Sequence, residues 1–190
     1  GYDAALRAFD ASLRRLGLDH VDLYLVHWPV RGKRLDSWRA LERLGREGRV
    51  RAIGVSNFLV PHLEELLAVA EIPPAVNQIE LHPFLQRRDT ITSCERHQIL
   101  VEAYSPLTHA QRLSDPTIVE IAHDVGRTPA QVLLRWGLQR GYVVLPKSTN
   151  PARIAENLAV FDFALDAAAM ERLSGLEEDF ATCWDPATVD

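Results

Sequence analysis

The chain has 190 residues, 47% of them hydrophobic and 25% charged, with 21 basic against 26 acidic residues and a formal net charge of −5. These are the proportions of an ordinary soluble globular protein. No basic run gives electrostatic grounds for a nucleic-acid partner or an anionic membrane. No apolar run approaches the roughly 20 residues that a bilayer span needs. The first residues (Gly1-Tyr2-Asp3-Ala4-Ala5-Leu6-Arg7) read as neither a signal nor a transit peptide. Cys94 and Cys183 form no metal-ligand spacing, so a reduced, cytoplasmic protein is expected. Only two of the 21 basic residues are lysines, Lys33 and Lys147, which draws attention to where they lie.

In chain order, the segment Asp3–Leu16 places Leu6, Phe9, Leu13 and Leu16 at helical spacing and stops at Gly17, as a C-cap would. Short β-rich apolar runs follow at Val21–Val26, Ala52–Val55, Ala75–Leu81, Ile99–Ala103 and Tyr142–Leu145. Amphipathic stretches lie between them, at Leu35–Glu47, Pro61–Ala70, Arg88–Gln98, Pro116–Val125 and Pro129–Arg140. Alternating β and α implies a parallel sheet covered by helices. No Gly-x-Gly-x-x-Gly turn and no Walker-type loop is present, which favours a closed (β/α)8 TIM-type barrel over an open doubly wound sheet. Eight βα units take about 250 residues, so this chain is expected to supply about five of the eight. Residues 1–190 are expected to form a single domain and a monomer.

In such barrels chemistry sits at the C-terminal ends of the strands. Those ends carry His27-Trp28-Pro29, Ser56-Asn57, Gln78 with Glu80, Tyr104-Ser105-Pro106, and Lys147-Ser148. Bland alternatives stand beside each group. A strand-end histidine is often structural, Asn57 could cap a helix or form a turn, Gln78 could satisfy backbone, and Tyr104 could be core. His82 and His109 show no charge partner or metal spacing in the sequence and read as structural. His62, His97, His123, Asp36, Glu42 and Glu47 read as solvated helix faces.

The stretch Pro146–Asn157 is the most informative. Asn150-Pro151 reads as an N-cap with proline at the first helical position. A helix N-terminus offers free N–H groups and a positive dipole end to an anion. Lys147 adds a point charge, Arg153 a bidentate fork and Ser148 a hydroxyl, a set suited to a phosphomonoester such as the 2′-phosphate of NADP. A helix start with incidental surface charges is the competing reading.

Taken together, five strings in order resemble the aldo-keto reductases. They are Leu16–Pro29, Gly54-Val55-Ser56-Asn57-Phe58, Asn77-Gln78-Ile79-Glu80-Leu81-His82-Pro83, Tyr104-Ser105-Pro106-Leu107, and Pro146–Asn157. The wording around Asn77–Gln86 is most similar to the bacterial branch that includes 2,5-diketo-D-gluconate reductases. The resemblance implies an NADPH-dependent oxidoreductase that reduces a small aldehyde or ketone by hydride transfer. It implies His27 as the catalytic histidine on the carbonyl oxygen and Trp28 as a substrate-pocket wall. Ser56, Asn57 and Gln78 would hold the nicotinamide carboxamide, and Tyr104 would stack on the ring. Ser105 and Leu107 would lie along the pyrophosphate, Lys147, Ser148 and Arg153 on the 2′-phosphate, and Glu156 and Asn157 near the adenine.

Two departures qualify that likeness. The family's proton donor is a tyrosine tuned by a lysine and an aspartate, and none of Tyr2, Tyr24, Tyr104 and Tyr142 sits in its motif. The loop Thr108-His109-Ala110-Gln111 lacks the glycine that many relatives carry. A catalytically incomplete NADP-binding or interaction protein is therefore the alternative function. A Schiff-base enzyme built on Lys147 is disfavoured, because Arg153 and the helix start suit an anion better than an activated amine.

Overall fold

A computed structural model of the chain describes residues Gly1–Val189. Helix α1 (Tyr2–Leu16) ends as its sequence predicts: Gly17 takes the left-handed conformation at φ 67° and its N–H returns to the Leu13 carbonyl. Strand β1 (Val21–Val26), helix α2 (Arg34–Arg46), strand β2 (Val50–Ser56), helix α3 (Val60–Leu67), strand β3 (Val76–Glu80), helix α4 (Arg88–Arg96) and strand β4 (Leu100–Tyr104) then alternate. Helices α5 (Pro116–Asp124) and α6 (Pro129–Gln139) precede strand β5 (Val143–Leu145), which α7 (Pro151–Leu158) and α8 (Ala167–Ser174) follow. The strands run in the order β1-β2-β3-β4-β5. The β1–β2, β2–β3 and β4–β5 pairings are parallel.

Two compact units are distinguished. The first comprises Gly1–Gln78, Arg88–Val101 and the segment starting at Asp185. Its apolar interior gathers Phe9, Leu13, Trp38, Leu41, Leu44, Val55, Phe58, Leu63 and Leu66, all buried. Gly54 on β2 is required by close approach, because a Cβ there would lie 2.8 Å from the Val76 carbonyl oxygen and 2.7 Å from Leu25 Cδ2. The second unit comprises Ile79–Arg87 and Glu102–Trp184. Its core packs Phe84, Ile118, Ile121, Val132, Leu133, Trp136, Leu165 and Leu173.

The five expected strands and the helices between them are all present, with no end shifted by more than three residues. Helix α8 was not anticipated. Its run Ala167-Ala168-Ala169-Met170 carries little amphipathic contrast, and its start is fixed by Asp166, whose carboxylate accepts from Ala169 N–H. Two residues expected on solvated faces are not. Glu42 is 3% exposed and its carboxylate accepts from Glu71 N–H (2.7 Å) and Ile72 N–H (3.0 Å) in the loop between α3 and β3. His62 is half-buried and its Nδ1 accepts from Leu59 N–H at 3.1 Å, doing at the start of α3 what a Glu or Gln does in a capping box. Asp36 and Glu47 are exposed as expected and pair with Arg39 and Arg43.

Candidate functional site

In the first unit the polar strand ends are tied to one another. Ser56 and Gln78 are register partners, and the Gln78 carbonyl accepts both Asn57 N–H and Ser56 Oγ–H at 2.9 Å. Asn57 sits in the left-handed region at φ 65°, a conformation that asparagine tolerates better than most residues. Its side-chain amide donates to the His27 carbonyl and to Ser56 Oγ, each at 3.1 Å. Asn57 therefore does not cap α3, whose N-cap position is Leu59. Ser56 and Asn57 are both 2% exposed, so these bonds fix their backbone rather than decorate a surface. The His27 ring is exposed beside the half-buried Trp28, their centroids 6.1 Å apart.

Asn77, which carried no separate expectation, proves structural. It is fully buried, donates to the Phe58 carbonyl at 2.8 Å, and contacts Cys94 Sγ at 3.6 Å. Tyr24 faces Phe9 edge-on with centroids 5.0 Å apart, which places it against helix α1.

In the second unit, Ser105, Leu107, His109, Leu145 and Lys147 line a cavity of about 440 Å3. A neighbouring cavity of about 400 Å3 is lined by Leu107, His109, Lys147, Ser148, Arg153, Glu156 and Asn157 among others. The two cations, the hydroxyl and the start of α7 are thus gathered as the sequence predicts. Among the described residues neither Lys147 nor Arg153 enters a salt bridge. The helix terminus is less open than expected, because Asn150 Oδ1 already takes Ala152 N–H (2.9 Å) and Arg153 N–H (3.4 Å). Anion binding there rests on the side chains more than on bare amides. Glu156 accepts from Thr128 Oγ–H at 2.7 Å, and Gln131 donates to the Glu156 and Ala159 carbonyls, so α6 holds α7 in place.

His109 and His82, read from the sequence as structural, have partners that the sequence did not show. His109 Nε2 lies 2.9 Å from Ser105 Oγ and lines both cavities. It stands in a left-handed turn of three consecutive non-glycine residues, Thr108 (φ 50°), His109 (φ 50°) and Ala110 (φ 64°), where the sequence lacks glycine. His82 Nε2 lies 3.3 Å from a carboxylate oxygen of Glu80, two positions earlier. Neither partner was visible by spacing alone, since i,i+2 and loop contacts follow from backbone geometry.

Tyr104 is half-buried. Burial, then the nearby Cys183 and Glu80, push its phenol well above the ordinary tyrosine range, with Arg87 opposing. A phenol held so firmly neutral is a poor proton donor and a good apolar platform.

Residues 2–178 match the Aldo/keto reductase family. The chain belongs to that family. It is 48% identical over 190 residues to the uncharacterized oxidoreductase YtbE of Bacillus subtilis strain 168, covering all of this chain and 68% of that protein. It is 49% identical over 179 residues to the glyoxal reductase of the same organism, covering 94% of this chain and 65% of the relative. A crystal structure of a Gox0644 variant in complex with NADPH superimposes with a TM-score of 0.96 at 46% identity, over all of this chain and 71% of that one. The chain thus spans about two thirds of the length of these aldo-keto reductases. Its parallel five-stranded sheet with alternating helices is the portion of the barrel it shares with them.

Proposed function

We propose that this aldo-keto reductase binds NADPH and reduces a small aldehyde or ketone to the alcohol. The observation that carries this reading is the cavity at the start of α7, where Lys147 and Arg153, two cations without salt-bridge partners among the described residues, stand with Ser148. Its size and donor set fit a sugar phosphomonoester, with Arg153 supplying a fork and Lys147 a point charge. Asn157, 9% exposed, and Glu156 wall the same cavity and suit the adenine. Ser105 and Leu107 line the adjoining cavity and suit the pyrophosphate, and His109 shares that wall. Tyr104 serves as the surface under the nicotinamide. Bound NADPH supplies the hydride.

His27, exposed beside Trp28, is assigned to the substrate carbonyl oxygen. A ring N–H there stabilises negative charge as it develops on that oxygen. Asn57, bonded to the His27 carbonyl, fixes the main chain from which the ring projects. Trp28 provides an apolar wall that keeps water from the carbonyl.

One observation favours binding without turnover by these 190 residues. Burial raises both Tyr24 and Tyr104 above the usual tyrosine range, and Tyr142 packs edge-on against Trp136. None of these resembles a phenol tuned downward for proton donation. Following NADPH oxidation with glyoxal and other small aldehydes tests the reduction. Saturable NADPH binding without turnover would favour the second reading, and absence of NADPH binding would contradict both.

A further inference from the structure

The two cavities of the second unit share the wall residues Leu107, His109 and Lys147. A ligand that occupies both must therefore pass the His109 ring. That ring is exposed, and its Nε2 lies 2.9 Å from the hydroxyl oxygen of Ser105, just beyond β4. The main chain holds the pair in place. Ser105, Thr108, His109 and Ala110 all take left-handed conformations, at φ 48°, 50°, 50° and 64°. Thr108 is fully buried, donates its hydroxyl to the Leu107 carbonyl at 2.8 Å and accepts Arg112 N–H at 3.2 Å. Backbone strain of this kind persists only where surrounding contacts enforce it. The charged groups around the ring are Lys147 just beyond β5, Arg153 and Glu156 on α7, and on its own loop Arg112, which pairs with Glu178. Among the described residues no other histidine lines either cavity.

We propose that His109 makes dinucleotide binding pH-dependent: its imidazolium and the Ser105 hydroxyl together take the pyrophosphate, so the ligand binds with uptake of a proton. The inference rests on the reading of this cavity as the pyrophosphate site. Histidine is the side chain whose charge ordinarily changes between about pH 5 and 8. A neutral ring with its proton on Nδ1 accepts the Ser105 hydroxyl through Nε2, which leaves that hydroxyl no proton for a ligand. Protonation reverses the bond. Nε2–H then donates to Ser105 Oγ, and the hydroxyl proton turns to the anion. One proton thus adds a positive charge beside Lys147 and releases a second donor, and charge-assisted bonds to the pyrophosphate favour that state.

The test compares two ligands on the 190-residue chain, 2′-phospho-ADP-ribose and adenosine 2′-monophosphate, which lacks the pyrophosphate. Both carry the phosphomonoester, so the titration of that group cancels in the comparison. Affinity for 2′-phospho-ADP-ribose should fall about fivefold from about pH 6 to about pH 8.5, beyond any change for the monophosphate, the scale of one charge-assisted contact. Calorimetry in two buffers of different ionisation enthalpy should show the matching proton uptake. His109→Asn suits the left-handed turn and cannot take the proton. It should abolish both the extra fall and the uptake, and leave affinity at high pH within about twofold. His109→Gln should do the same. Equal pH dependence for the two ligands, no proton uptake by the unaltered chain, or an unchanged fall in either variant would overturn the assignment. So would 2′-phospho-ADP-ribose binding no tighter than the monophosphate. A chain that binds neither ligand overturns the cofactor reading itself, and this inference with it.

Discussion

The side-chain amide of Asn57 donates to the main-chain carbonyl of His27, 30 residues earlier, at 3.1 Å. The bond joins the ends of two neighbouring parallel strands at the point where each leaves the sheet. It requires a donor, and it requires a residue at ease at φ 65°. Aspartate meets the second condition and fails the first, because its carboxylate would face the His27 carbonyl. Asn57→Asp is therefore expected to destabilise the fold by about 2 kcal/mol in urea denaturation. Stability equal to the unaltered chain would show that only the backbone conformation matters.

The left-handed turn at Thr108–Ala110 is held without glycine. Ala110 is exposed and stands at φ 64°, so its Cβ carries a steric cost on the order of 1 kcal/mol. Ala110→Gly should raise stability by about that amount. A loss of stability on equilibrium denaturation would contradict the strained turn.

Glu80 supplies an acid-sensitive anchor. Burial opposes its ionisation, but the hydrogen bonds from His82 and Thr182 win and bring its pKa from 4.5 to about 2. A carboxyl depressed in the fold stabilises fully above 4.5, and that contribution is lost as pH falls toward 2. The loss across that window is roughly 3 kcal/mol. Denaturation curves from pH 6 to about 2 should show this acid limb, and Glu80→Gln should flatten it. An unchanged limb in the variant would place the sensitivity elsewhere.

His62 adds a second pH dependence at higher pH. Burial, then the charge of Arg34, lower its pKa from 6.5, with Glu65 opposing. The neutral ring accepts Leu59 N–H, and a proton on Nδ1 would abolish that bond. The cap therefore stabilises above pH 6.5 and weakens as pH falls below it. His62→Gln, which keeps an acceptor at the same helical position, should remove this loss without lowering stability at pH 8. Retention of the same pH dependence in the variant would sink the assignment.

The order of elements was legible because period and punctuation agreed: Leu6, Phe9, Leu13 and Leu16 ran out at Gly17, and each β-rich run ended in a polar group. The cluster of Lys147, Ser148 and Arg153 was legible for a local reason, since Asn150-Pro151 marks a helix start and the charges flank it. Long-range partners were not. Glu80 binds Thr182 and Cys183 from 102 and 103 residues away, and nothing in residue spacing announces that. Glu42 looked solvated because its periodicity is that of a surface helix, whereas its carboxylate turns in to cap the loop between α3 and β3, about 30 residues on. His109 read as inert because its partner, Ser105, meets it only through a turn that non-glycine residues seldom form.

The central claim is that this chain carries the NADPH site, with the 2′-phosphate on Lys147, Ser148 and Arg153. Parallel titrations of the unaltered chain and of Arg153→Ala with NADPH and NADH address it most directly. The unaltered chain should prefer NADPH by at least about tenfold, and Arg153→Ala should lose most of that preference while binding NADH unchanged. Equal affinity for the two dinucleotides in the unaltered chain would contradict the account.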